Sequence, residues 1–420
     1  MSFQQGLSGL NASSKNLEII GNNIANSNTY GAKVSRAEFA DIYAAALNGS
    51  GANAVGIGTS LAAVAQQFTQ GAITTTENPL DLAINGAGFF QLTDGQNPIV
   101  YTRNGQFKVD REGFIVNASG RQLMGYAANE QGVIQPGQAV SLQLPTGGVA
   151  PSASTGTEIE MNLDSRLAVT APASGAAIDF FDASTYNNAT SLTVFDAKGQ
   201  QVAMTFYFQK AATDTWNVFA TANGESVLGA PGAPDPITTI NFAADGSAPT
   251  SPVGAVTFDI PASVNSAGSE TLAITGFNFN VDAATQFGSA FGVTDIQQDG
   301  FSAGLLVAIS IENNGVITAR YSNGQSRPAG QIEVANFRNP QGLQPQGNNQ
   351  WANTFASGDP ITGVPGDGNL GVLQAGALEE SNIDLTSELV NMITAQRLYQ
   401  ANAQTIKAQD QVLQTLVNLR

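Results

Sequence analysis

Two hydrophobic rhythms run along this chain. Near the N-terminus, Phe3, Leu7, Leu10, Ser14, Leu17, Gly21 and Ile24 recur at alternating steps of four and three. Near the C-terminus, Leu385, Leu389, Met392, Gln396, Tyr399, Ala403, Ile406, Asp410, Leu413 and Val417 repeat that spacing. A second row there, Ile393, Leu398, Val412, Leu416 and Leu419, widens the apolar stripe. This spacing predicts amphipathic coiled-coil helices over 1–25 and 385–420. Isolated helices are marginal in water, and Gly9, Gly21, Gln396 and Asp410 weaken these further. Each end therefore needs a partner, either the other end or another copy of the chain. An ordinary helix pair closing a globular core has the same pattern, but almost no other segment shows helical period.

Between the ends the rhythm changes to short strands and turns. Leu80, Leu82 and Ile84 alternate with polar or small neighbours, as do Phe107 and Val109 before a turn at 110–113. Ser191–Phe195 and Gln201–Phe208 flank Asp196-Ala197-Lys198-Gly199, and Leu305–Ile311 and Val316–Tyr321 flank Glu312-Asn313-Asn314-Gly315. Both read as hairpins. The fold class expected is mainly β, with nested, discontinuous antiparallel β domains between helical termini. The Pro/Gly/Ser/Thr stretch at 145–156 and a weaker break near 282–292 mark the seams. They predict an inner β domain from 71–145 and 290–375, an inserted outer β domain at 146–289, and connecting segments at 26–70 and 376–384.

Charge follows the same division. The 420 residues carry 16 Lys plus Arg and 33 Asp plus Glu, a net charge of −17. The inserted segment 146–289 has three basic and thirteen acidic residues, while the helical ends are close to neutral. An acidic chain is a poor partner for nucleic acid or an anionic membrane. No apolar run approaches the ~18 residues of a membrane-spanning helix, so no membrane insertion is expected. The first ten residues lack the charge and apolar core of a cleaved secretory signal. With 36 Asn and 32 Gln, amides outnumber charges, so the polar surface is largely uncharged.

The chain has no Cys and no His, which removes disulfides, thiolate chemistry and Ser-His-Asp catalysis. Gly56-Ile57-Gly58 and Gly86-Ala87-Gly88 lack the third glycine and the βαβ setting of a nucleotide loop. Asp367-Gly368-Asn369 lacks the ligand ladder of a calcium loop. Glu379-Glu380 and the pair Asp179 and Asp182 read as solvated carboxylates rather than glycosidase acids. Asn48-Gly49-Ser50, Asn117-Ala118-Ser119 and Asn188-Ala189-Thr190 are chance acceptor matches in a chain this rich in Asn and Ser. No catalytic residue, cofactor or metal is expected.

The ends carry a recognisable pattern. SGLNASSKNLEIIGNNIANSNTYGAK at 8–33 resembles the N-terminal signature of the bacterial flagellar rod and hook family, with Asn22-Asn23-Ile24-Ala25-Asn26 at its core, then Thr29, Gly31 and Lys33. Gly-Ala-Lys stands where relatives often have Gly-Phe-Lys. The C-terminal 45 residues, NPLDLAINGAGFFQL at 78–92, YTRNGQFKVDREGFIVNASGRQLMGY at 101–126, YSNGQ at 321–325 and FRNPQGL at 337–343 are similar to the same family. The likeness covers about two thirds of the chain. The inserted segment, the total length and the ending LVNLR point to the hook members.

That resemblance implies a structural subunit, not an enzyme. Such subunits polymerise into a curved, hollow helical tube that passes motor torque from rod to filament as a universal joint. It implies an inner tube of terminal helices, with Phe3, Leu7, Leu10, Leu17, Asn22, Asn23, Ile24, Asn26, Leu385, Leu389, Met392, Tyr399, Ile406, Leu413 and Val417 as the assembly interface. It further implies self-association as the main partnership, with the distal rod protein, the hook cap, the hook–filament junction protein and the flagellar export apparatus as other partners. The implied location is extracellular, in the flagellum, reached through type III export without a cleaved signal. A distal rod or hook-associated protein, or a secreted β-rich adhesin, are the alternatives.

Overall fold

A computed structural model describes residues 2–42, 56, 58–129, 131–172, 178–230 and 232–418, with the side chains of Ser2 and 416–418 left aside. The expectations for Leu416, Val417 and Leu419, for Asn48-Gly49-Ser50 and for Ile57 lie outside the described residues. Among the described residues, helix α1 spans Ser2–Ala25 and helix α2 spans Leu385–Asn418, and strands make up nearly all the regular structure between them. The chain divides into two compact units. One comprises Met1–Thr146, Ala308–Arg320 and Ser326–Arg420, and the other Gly147–Val307 and Tyr321–Gln325.

The first unit is nested, as its discontinuous sequence requires. Strand Phe89–Thr93 pairs antiparallel with Val100–Thr102 and with Gln122–Ala127, and Val334–Asn336 returns from far along the chain to pair with it too. Successive side chains of a strand point to opposite faces, so Phe89 and Phe90 enter different cores. Phe90 meets Phe107 edge to face at 5.3 Å, in a core with Leu82, Ile84, Ile115, Leu123 and Ile332. Phe89 packs at 5.6–5.9 Å from Phe68, Phe337 and Trp351 on the other side. The strand Leu82–Asn85 buries Leu82, Ala83 and Ile84 alike, so its alternation did not mark an exposed face. Val109 likewise is exposed, although Phe107 two residues earlier is buried.

Among the described residues, the second unit has two large sheets and a small ribbon of Gly229–Ala230 and Ala233–Pro234. Asn188–Phe195, Gln201–Ala212, Thr215–Ala222, Thr238–Phe242 and Pro249–Ser251 form one antiparallel path, and the expected turn at Asp196–Gly199 joins its first two strands. Gly199 adopts φ 75°, which a glycine accepts without Cβ strain. The other sheet orders Val256–Ile260, Ile274–Asn280, Gly156–Asn162 and Gly292–Gln298. Gly156–Asn162 and Ile274–Asn280 run parallel, which departs from a wholly antiparallel reading and needs the long crossover between them. The sequence set the seam at 289/290, yet Gly292–Gln298 pairs with Gly156–Asn162, and the unit extends to Val307. Its core centres on Trp216, Phe206, Phe208, Phe277 and Phe279, with Phe206 stacked on Phe279 at 4.5 Å.

Candidate functional site

The helical termini and the residues that hold them form the candidate site. Helix α2 begins at an Asp384 cap, whose Oδ1 accepts the amides of Thr386 at 2.9 Å and Ser387 at 3.3 Å. Helix α1 ends at Asn26, whose amide donates to the Asn22 carbonyl at 2.9 Å. Over its 34 residues α2 would reach about 51 Å at ~1.5 Å per residue.

The two helices meet along small and amide residues. A Cβ built on Gly6 would stand 3.1 Å from Ile406 Cγ1, and one on Gly9 would stand 2.9 Å from Asn402 Nδ2. Asn402 Nδ2 also donates to Ser13 Oγ at 3.4 Å. The covered face of α1 is thus Gly6, Gly9 and Ser13, continuing through buried Ile20 and Asn23. That row lies one position away from the apolar row. Phe3 and Leu7 are exposed, and Leu10, Leu17 and Ile24 are half-buried. On α2, Ala395 is buried and Met392 and Ile406 are half-buried, while Leu385, Leu389, Tyr399 and Leu413 are exposed. Val390, Ile393, Leu398 and Val412 are exposed as well.

The asparagines of the N-terminal signature divide between two roles. Asn22 is exposed and Asn26 half-buried, at the end of α1. Asn23 is buried: its Nδ2 donates to the Ser35 carbonyl at 2.8 Å and its Oδ1 accepts the Ser35 amide at 3.0 Å. It closes two backbone groups of β1 (Ser35–Ile42) inside the subunit. Strand β1 pairs antiparallel with β2 (Gly58–Gln66), and α1 lies against this ribbon. Asn382 acts in the same way on the returning leg. Its Oδ1 accepts the Val34 amide at 2.8 Å, and its Nδ2 donates to the Gln67 carbonyl at 2.8 Å.

Beneath the helices sits a buried ion cluster. Lys33 Nζ donates to Glu379 Oε1 at 2.6 Å and to the Thr69 carbonyl at 2.8 Å. Arg103 Nη1 donates to Glu379 Oε2 at 3.1 Å, and its guanidinium lies 5.2 Å from the Phe89 ring centre. The Gly71 amide donates to Glu379 Oε1 at 2.9 Å, and the Gly31 amide to the Glu379 carbonyl at 2.8 Å. Glu379 is therefore not a solvated carboxylate, as expected from sequence, whereas Glu380 is exposed. Burial holds the Lys33 ammonium below its ordinary range, opposed by Glu379 and reinforced by Arg103. Burial also lowers the Arg103 guanidinium, again opposed by Glu379. Gly31 at φ 69° has no space for a side chain, because a Cβ would stand 2.6 Å from the Asn104 amide nitrogen.

Neither the ion cluster nor the Gly6–Gly9–Ser13 face was named from sequence. Its signals were present: small residues at i, i+3 and i+7, and Gly31 and Lys33 inside the family signature. Elsewhere, Gly86 and Gly88 take positive φ in the turn between Leu82–Asn85 and Phe89–Thr93, and Asp179 and Asp182 are exposed in a turn. Among the described residues, no group of three or more acidic side chains is placed to hold a metal ion, and no helix is long and apolar enough to cross a membrane.

Comparison with known proteins agrees with this layout. Residues 3–33 match the flagella basal body rod protein family, 83–162 the flagellar hook protein FlgE/F/G D1 domain, 162–301 the flagellar basal body protein FlaE D2 domain, and 374–419 the flagellar basal body rod FlgEFG protein C-terminal family. The chain is 41% identical to the flagellar hook protein FlgE of Salmonella typhimurium over 422 residues, covering 100% of both. It is 41% identical to that of Escherichia coli K12 over 425 residues, again covering 100% of both. With the hook protein of Borreliella burgdorferi the identity is 32% over 457 residues, with 100% of this chain and 99% of the relative covered. The fold resembles the crystal structure of Helicobacter pylori flagellar hook protein FlgE2, with a TM-score of 0.54 at 15% identity over 73% of this chain and 100% of the other. Full-length similarity at this level, together with signature motifs at both ends, makes this chain a member of the flagellar hook protein family.

Proposed function

We infer that this chain is the repeating subunit of a curved, hollow helical tube, and that its terminal helices form the inner wall. One observation carries the reading. The intramolecular contact of α1 and α2 uses Gly6, Gly9, Ser13 and Asn402, and leaves Phe3, Leu7, Leu385, Leu389 and Leu413 exposed. Apolar rows on both helices are thereby free for other copies, and a heterologous contact that does not close generates a helical filament. Leu10, Leu17, Ile24, Met392, Tyr399 and Val417 complete the same interface, and Ile406 joins it from the edge of the α1–α2 contact, where it meets Gly6. Asn22 and Asn26 lie at its lower edge, while Asn23 serves the subunit's own fold.

In this reading the β unit built on 71–146, 308–320 and 326–375 faces outward from the tube wall, and so does the acidic unit at 147–307. Its amide-rich surface exchanges wet contacts at little cost as the tube bends. The chain reaches an extracellular site at the flagellar hook by the flagellar export route, where the absence of Cys suits an unfolded passage. The distal rod protein, the hook cap and the hook–filament junction protein are its further partners, and no catalysis is involved.

Electron microscopy of the purified chain under polymerising conditions tests this. Curved tubes are expected. Straight short tubes would assign the chain to the rod, and the absence of any polymer would remove self-assembly as its function.

A further inference from the structure

We propose that Glu379 is the positioning residue of the subunit: its buried carboxylate fixes both legs that carry the terminal helices onto the inner β unit. This rests on the assembly reading above and names the joint through which that assembly would bear load.

Three separate parts of the chain converge on one side chain of a fourth. Lys33 follows α1 by eight residues, Gly71 lies on the strand of chain leaving β2, Arg103 belongs to the β unit beside Phe89, and Glu379 itself precedes α2 by six residues. The Lys33 and Glu379 side chains have no exposed surface, and that of Arg103 has 4%. Buried charge without a partner is costly, so each cation's position depends on the one carboxylate. Lys33, Arg103 and Glu379 are the charged groups in the cluster, and two positive charges face one negative. Removing Glu379 would leave the two cations facing each other in a dry site. Removing Lys33 would leave a matched pair.

The asymmetry gives the carboxylate a role that packing alone does not. An isosteric amide at position 379 fills the same space and still accepts hydrogen bonds. It fails in charge, and it turns one of the two accepting oxygens into a donor that faces a donor. With the amide, Lys33 loses the group that raises its proton affinity and keeps the two influences that lower it. Between the lowered folded value and the ordinary lysine value of 10.5 the unfolded leg then binds more protons than the folded one, so attachment strengthens as pH rises through that window.

The test uses full-length protein with Glu379→Gln, Lys33→Met and the double substitution. Hydrogen exchange is followed at 31–35 and 67–71, and separately in strands Leu82–Asn85 and Phe89–Thr93. With Glu379→Gln, protection of the two legs should fall at least ~10-fold at neutral pH while the strands keep theirs. Leg protection should recover as pH is raised towards the onset of tyrosine ionisation, and in part in the double variant at neutral pH, which relieves the repulsion but leaves Arg103 without its carboxylate. Lys33→Met alone should retain it. Unchanged protection in Glu379→Gln, equal loss in the strands, or a double variant no better than Glu379→Gln with no alkaline recovery each overturns the proposal. Tube formation is scored in parallel. Legs released while tubes still form would leave the anchor standing and overturn assembly through the termini.

Discussion

Gly9 and Asn402 lie so close that a Cβ on the glycine would stand 2.9 Å from the asparagine's side-chain amide. The two residues are 393 positions apart in the sequence, and their contact places α1 on α2. The small residue lets the helices approach, and the amide supplies a polar contact to Ser13 rather than an apolar one. The exposed apolar rows are consequently not consumed within the subunit.

Gly9→Val should separate the helices. Overpacking at a tight contact costs about 1–3 kcal/mol. Gly21→Ala is the control, because a Cβ there meets nothing within 4 Å. It should add up to ~1 kcal/mol of helix stability. Circular dichroism and the critical concentration for polymerisation should move in opposite directions for the two variants.

Leu389→Asp and Ile406→Asp should differ before assembly and agree after it. Leu389 is exposed, so its replacement should change monomer stability by no more than about 0.5 kcal/mol. Ile406 touches the Gly6 face, so a carboxylate there should also loosen the α1–α2 pair. Sedimentation should find both variants unable to form tubes, with the melting of the β units unchanged. Polymer formation by Leu389→Asp would sink the interface reading.

Alkaline pH should weaken the first β unit within a defined window. Tyr126 is pushed up to about 12 by burial, its hydrogen bond to Glu333 and that carboxylate's charge, and Tyr101 to about 12 by burial, Glu333 and Asp359. A raised tyrosine pKa means that the folded state holds protons the unfolded state has released. Stability is therefore complete below 10.0 and lost as pH rises through about 12. Denaturant titrations across that range should show the fall, and Tyr126→Phe should remove roughly half of its slope.

Excising 147–307 and joining its ends with a short flexible linker should leave a chain that still polymerises. The segment contains neither helix nor any part of the ion cluster. Its tubes should differ in curvature or bending stiffness when measured by electron microscopy. Only soluble monomers after the excision would make the second unit part of the assembly contact itself.

The helical ends, the hairpin turns at 196–199 and 312–315, and the absence of thiol and imidazole groups were all legible in the sequence. Each depends on neighbours within a few residues, or on composition, and needs no knowledge of the fold. The seam at 289/290 was misplaced because composition does not record strand pairing. Only the pairing of Gly292–Gln298 with Gly156–Asn162 shows to which unit those residues belong.

The sequence by itself determined that both ends are amphipathic and that something must cover them, because periodicity is a local property of the chain. Tertiary structure decided which face meets which. Periodicity marks the rows richest in large apolar residues, whereas close helix contact selects rows small enough to permit approach, and here these are adjacent rows of α1. Structure likewise decided the fate of Glu379. In sequence it is one of two consecutive acids with no cation beside it. Folding brings Lys33 from 346 residues away and Arg103 from 276, and the pairing of charges becomes favourable only once that convergence has excluded water.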